Sequence, residues 1–230
     1  MGNTPIVITG CARSGTSLTA GVFHICGAFG GEMFGANKNN QKGFFENQVI
    51  REQMVKPFLR GMGVDHLGQK PLPTDEHLSM ISQERANLWR KSIFETLERQ
   101  GYKDGPWFYK GAKSCLYWPL WHMAFPEAKW VVVRRPTEKI VASCLRTSFM
   151  KAYRDEKGWT GWVNEHIRRF EEMKAKGLNI SEIHTEKIID HSYIEVKKVI
   201  DELGLTWNYK KINQFVSPEL WEQGKKVING

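Results

Sequence analysis

Residues 10 to 17 read Gly-Cys-Ala-Arg-Ser-Gly-Thr-Ser, a glycine-bounded turn of the kind that wraps phosphate groups in backbone N–H donors. In the form that binds ATP or GTP, G-x-x-x-x-G-K-[ST], a lysine after the second glycine reaches the outer phosphates. Gly10 and Gly15 keep that spacing, but Thr16 stands where the lysine belongs and the positive charge lies inside the turn, on Arg13. Such a turn still attracts a phosphate-like anion but lacks the usual grip on a terminal γ-phosphate. That argues against a plain nucleoside triphosphatase.

The turn needs a strand before it and a helix after it. Pro5-Ile6-Val7-Ile8-Thr9 is a β-branched apolar run suited to a buried strand, and Leu18, Val22 and Ile25 then fall at helical spacing before Gly27. This order aims unpaired N–H groups and the positive end of a helix dipole at one point. Trp107-Phe108-Tyr109 and Trp130-Val131-Val132-Val133 are further continuous apolar runs, as expected for strands covered on both faces. Helical patterns separate them: Trp89, Ile93 and Leu97 within residues 76 to 100, and later Tyr193, Val196, Ile200 and Leu203. Ser192 with Glu195 reads as a capping box for the later helix, which stops at Gly204. The pattern predicts an α/β fold of three layers, α/β/α, around a central parallel sheet, with ligands at the carboxyl ends of its strands.

The turn with Arg13, the string Gly43-Phe44-Phe45-Glu46-Asn47, and Trp130 to Pro136 leading to Ser143 together resemble the sulfotransferase family, enzymes that use 3′-phosphoadenosine 5′-phosphosulfate (PAPS). The likeness is to soluble, bacterial-type members and extends over most of the chain. Phe108-Tyr109-Lys110 and Pro126-Glu127-Ala128-Lys129 look like the stretch leading into the family's second nucleotide motif. Thr185-Glu186-Lys187-Ile188 and Leu203-Gly204-Leu205 look like its closing strand and helix.

The resemblance implies transfer of a sulfuryl group from PAPS to a hydroxyl or amine. Arg13, Ser14, Gly15, Thr16 and Ser17 would hold the 5′-phosphosulfate, Arg13 also neutralising charge on the leaving phosphate. Arg134 matches the arginine that binds the 3′-phosphate, with Ser143 as its partner. The family places that serine eight residues after the arginine, whereas Ser143 is nine after Arg134 and eight after Arg135. Either Arg135 is the ligand or the connection is one residue longer; Pro136, two after Arg134, favours the second and hence Arg134. Glu46 matches a glutamate that serves as base, and Phe44 and Phe45 are expected to desolvate it and raise its pKa. Its other reading is a dipole-favourable helix cap beside Asn47. Lys110, at a strand end, would stabilise charge on the sulfuryl group or the bridging oxygen. Trp118, Trp121, Trp159 and Trp162 are candidates for an acceptor cleft, and His24 and His122 sit in helical patterns suited to structural roles.

A nucleotide or small-molecule kinase built on the same turn would need a lysine at position 16 and carboxylates for Mg²⁺. A non-catalytic nucleotide or nucleic-acid binder would need a basic-aromatic stripe that the chain lacks. Lys plus Arg exceed Asp plus Glu by 33 − 25 = 8, a surface charge that attracts anions. The chain of 230 residues shows no linker or repeat and is read as one domain, 1–230. Cys11, Cys26, Cys115 and Cys144 form no C-x-x-C pair, and no metal is required. No signal peptide or membrane span is apparent, so the expectation is a cytoplasmic enzyme acting on a small molecule or carbohydrate, with neither nucleic acid nor membrane as partner. Segments 60 to 85 and 147 to 165 would decide the acceptor, and they carry no motif that names it.

Overall fold

The computed structural model describes residues 4–37 and 40–217. Four strands, β1 (Pro5–Gly10), β2 (Trp107–Lys110), β3 (Lys129–Arg134) and β4 (Ile180–His184), pair in parallel in the order β2-β1-β3-β4. Strands one and three lie in the middle, so both are apolar on each face. β1 is buried from end to end.

Alternation along the strands divides the core in two. Val7, Trp107, Tyr109, Trp130 and Val132 face a layer made by α4 (Gln83–Arg99), α5 (Trp118–Ala124) and α7 (Glu156–Ala175), through Trp89, Ile93, Leu97, Leu120, Trp121, Phe170 and Met173. Ile6, Ile8, Phe108, Val131, Val133 and Ile183 face the opposite layer. There α1 (Thr16–Ile25), α9 (Ile194–Glu202) and α10 (Tyr209–Phe215) supply Val22, Phe23, Val196, Ile200 and Ile212. This is the three-layer α/β/α arrangement with a parallel sheet that the apolar runs predict. A third cluster joins α6 (Thr137–Arg146) to α7 through Ile140, Val141, Cys144, Trp159 and Trp162.

Two local expectations are corrected. Thr185 to Ile188 is not the closing strand: it opens the short helix α8 (Thr185–Ile189), and the strand is the preceding Ile180–His184, whose backbone pairs residue by residue with Trp130 to Arg134. The Ser192–Glu195 capping box does not form either. Helix α9 starts at Ile194 without a side-chain cap, because the Glu195 carboxylate is drawn back to His184, accepting its backbone N–H at 2.8 Å.

Two short helices, α2 (Lys56–Gly61) and α3 (Asp75–Ser79), complete the described α-helices, and a π-helical turn over Ile50–Val55 runs straight into α2. No described helix is long and apolar enough to cross a membrane. All four cysteines are buried and free.

Candidate active site

The Gly10–Ser17 turn joins the end of β1 to the start of α1, at the carboxyl edge of the sheet. Arg13 and Gly15 both have positive φ, 71° and 95°, which turns the chain back over the helix start. At Gly15 a side chain has no room, since a Cβ would run into Thr185. The Thr185 hydroxyl in turn donates to the Ser14 carbonyl. Helix α1 has no side-chain cap at its N-terminus, so its first-turn N–H groups are left for a ligand.

A cleft of about 1000 Å³ opens over this turn. Arg13, Gly15, Thr16, Ser17 and Ser143 line it, as do Glu46 and Lys110. Ser14 does not: its side chain is buried under the turn, close to Gly10. Arg134 also lies elsewhere, its guanidinium 5.3 Å from the Phe170 ring centroid and 3.8 Å from Glu182. The residue that enters the cleft is Arg135. It donates to the Arg13 carbonyl at 2.8 Å and pairs with Glu186 at 3.4 Å, while Arg13 Nε donates to Ser143 Oγ at 3.0 Å. Neighbouring residues at a strand end point to opposite sides, so one step along the chain separates a residue under α7 from one over the turn. Burial, with the neighbouring Arg146, leaves the Arg13 guanidinium somewhat below its ordinary value; burial does the same to Arg135 against the pull of Glu186. Cations held in that state favour an anion in the cleft.

Glu46 is delivered by the strap 43–47. Gly43 and Phe45 have φ of 100° and 55°. The buried Asn47 amide anchors the strap by donating to the Gly30 carbonyl at 3.1 Å and to Gln100 at 2.7 Å. Ser17 Oγ donates to the Phe44 carbonyl, tying the strap to α1. One oxygen of Glu46 is 2.7 Å from Lys110 Nζ and the other 3.1 Å from Arg51 Nε. Lys110, 4% exposed at the end of β2, is one of the few buried charges here.

The pKa expected for Glu46 is corrected by these partners. Burial does raise it, but Lys110, Arg51 and Lys113 together outweigh burial and hold the carboxyl below the usual range. The helix-cap reading fails as well, since both oxygens are engaged by side chains and Asn47 supplies the acceptor for the Ile50 N–H. Thr9 places the far side of the cleft: its hydroxyl donates to the Ala112 carbonyl and accepts from the Cys115 N–H, both at 3.0 Å, fixing the 3₁₀ turn over Ala112–Tyr117 that carries Lys113.

Of the four tryptophans, only Trp162 reaches the cleft. Trp118, Trp121 and Trp159 are core, Trp121 stacking on Tyr109 at 5.0 Å. His24 is exposed on α1 and His122 half-buried on α5, and neither lines the cleft. His166, Lys113, Lys42 and Arg146 also line the cleft, although no motif marks them in the sequence. His166, 1% exposed, has Nδ1 2.9 Å from the Trp162 carbonyl, and burial pushes its pKa down to about 4. The ring is therefore neutral, with its proton on Nδ1. Among the described residues no group of His, Cys, Asp and Glu is placed to hold a metal ion.

A parallel sheet with an arginine-bearing turn between β1 and α1 and a second arginine after β3 defines an α/β protein with two arginines gathered at the carboxyl edge of its sheet. The sequence profile of the Sulfotransferase family matches residues 5–209, and the chain belongs to that family. Among solved structures it is similar to the sulfotransferase domain of the Synechococcus PCC 7002 olefin synthase, with a TM-score of 0.60 at 15% identity over 99% of this chain and 90% of that one. It is also similar to the sulfotransferase STF9 from Mycobacterium avium, with a TM-score of 0.57 at 10% identity over 98% and 69%. The sulfotransferase STF1 from Mycobacterium tuberculosis H37Rv gives 0.52 at 13% identity over 99% and 78%. At these identities the likeness is one of fold. No curated protein sequence matches the chain.

Proposed function

We propose that the protein transfers a sulfuryl group from PAPS to a hydroxyl or amine of a small-molecule or carbohydrate acceptor. The observation that carries this reading is the joining, in one cleft, of the Arg13–Ser143–Arg135 group with the Glu46–Lys110 pair. Bound PAPS would supply an electrophilic sulfur with a phosphate leaving group.

The chain's residues divide the remaining tasks. First-turn N–H groups of α1, with Arg13, Thr16 and Ser17, bind the phosphosulfate and compensate the charge that grows on the departing phosphate. Arg135 and Ser143 take the 3′-phosphate, a role that falls to Arg135 rather than Arg134 because Arg135 is the one lining the cleft. Glu46 accepts the acceptor proton on a carboxylate oxygen. Lys110 holds that carboxylate in place and offers its ammonium to negative charge on the transferring group. No step needs a metal, and the reading is of one catalytic domain working in the cytoplasm.

Calorimetry with 3′-phosphoadenosine 5′-phosphate, AMP and Mg²⁺-ATP tests this. The 3′,5′-diphosphate is expected to bind much more tightly than the other two. Equal or better affinity for Mg²⁺-ATP would sink the reading and restore the kinase.

A further inference from the structure

Among the described residues Lys113 is a cation in the cleft without an ion-pair partner of its own. Around it stand Arg51 and Lys56 from the π turn and α2, Lys110 from β2, and Glu46 from the strap. Glu46 is already shared by Lys110 and Arg51, and Lys56 pairs with Glu52 at 2.6 Å. Among the described residues Lys113 makes no hydrogen bond or ion pair, although it is half-buried and lines the cleft. Its direction is set by packing. The stem lies against Gly68, where a Cβ would come within 3.0 Å of Lys113 Cβ, and the Gly68 carbonyl accepts the Trp162 indole N–H at 2.9 Å. Lys113 thus belongs to the Gly68–Trp162 wall, beside Leu67, Phe149 and Met150 in the same cleft. Desolvation, opposed by Glu46 and aided by Arg51, Lys56 and Lys110, brings its ammonium down to about 8.

We infer that Lys113 reads a carboxylate or similar singly charged oxyanion on the acceptor, so that the enzyme sulfates hydroxy acids in preference to neutral alcohols. The inference rests on the sulfotransferase reading. The phosphates of the donor have their own cations in Arg13 and Arg135, and the apolar wall around Trp162 suits the body of an organic acid. An oxyanion there would gain a charge-assisted hydrogen bond in a poorly hydrated place.

The test uses 4-hydroxyphenylacetate and its neutral amide. For wild type, kcat/KM should favour the acid, and Lys113→Met should cut the acid-to-amide ratio about 10- to 100-fold, with Lys113→Arg retaining most of it. The preference should fade as pH rises through about 8, where Lys113 loses its charge. A ratio that Met leaves unchanged, with both acceptors losing equally, assigns Lys113 to the sulfuryl group and overturns the inference. A second readout needs no turnover: acylation of Lys113 by an amine-reactive ester at pH 8, followed by peptide mass spectrometry. The acid should slow labelling and the amide should not. No protection by the acid, or protection by 3′-phosphoadenosine 5′-phosphate alone, also overturns it. Calorimetric binding of that diphosphate, run alongside, separates failure of the donor reading from failure of this one.

Discussion

Arg13 Nε lies 3.0 Å from Ser143 Oγ, a bond that spans 130 residues of sequence and ties the turn after β1 to the helix after β3. It brings the two arginine-bearing segments of the chain to one point, because β1 and β3 are neighbours in a parallel sheet and both end at the same edge.

Arg135, which completes that point, is therefore expected to matter more than Arg134 for nucleotide binding. Arg135→Ala should cost about 1.5 to 3 kcal/mol of affinity for ligands bearing a 3′-phosphate, the usual range for hydrogen bonds to a charged group. Arg134→Ala should mainly lower stability, through Phe170 and Glu182. Titration calorimetry with 3′-phosphoadenosine 5′-phosphate checks both, and a larger binding loss for Arg134→Ala would reverse the assignment.

Glu46→Gln keeps the shape of the side chain but removes its capacity to accept a proton. Turnover should fall by about 10² to 10⁴ while nucleotide affinity changes little. Since Lys110 and Arg51 keep the carboxyl below its usual range, it stays ionised from neutral pH down into the acid range. The acidic limb of kcat/KM should then lie below the range of a free glutamate carboxyl. An acidic limb near pH 6 to 7 that disappears in the Gln variant would show that cations do not control this group.

His166 makes stability depend on pH. The unfolded chain takes up the imidazole proton near its ordinary pKa of about 6.5, whereas the folded protein resists it down to about 4. Between those values the unfolded state binds more protons, so the contribution is fully present above about 6.5 and is lost as pH falls toward 4. Thermal melts from pH 7 to pH 5 should show Tm falling in wild type, and falling less in His166→Gln. Parallel curves for the two proteins would contradict the buried, neutral ring.

Gly15→Ala is expected to abolish tight nucleotide binding. Alanine at a φ of 95° is strained, by about 1 to 2 kcal/mol in the left-handed region, and its Cβ would push against Thr185. Chemical denaturation should report the lost stability and calorimetry the lost affinity. Unchanged affinity would show that the turn does not bind the nucleotide.

Much of this protein was legible in order and period alone. β-branched runs without alternation specify strands covered on both faces, so the sheet and its two helical layers follow from Ile6–Ile8 and Trp130–Val133 with their flanking helical spacings. The Gly10–Ser17 turn identified itself through local covalent geometry, which Gly15 satisfies by lacking a Cβ. What the sequence left open were relations between segments distant in the chain. Arg134 and Arg135 are equivalent in composition, and only the direction in which β3 ends under α7 separates them. The phenylalanines beside Glu46 announced desolvation, but Lys110 and Arg51 arrive from β2 and the π turn and reverse its effect. His166 and Lys113 carry no local signature at all. They became visible when α7 and the turn after β2 closed around Gly68, since burial and proximity to charge are properties of packing and not of spacing.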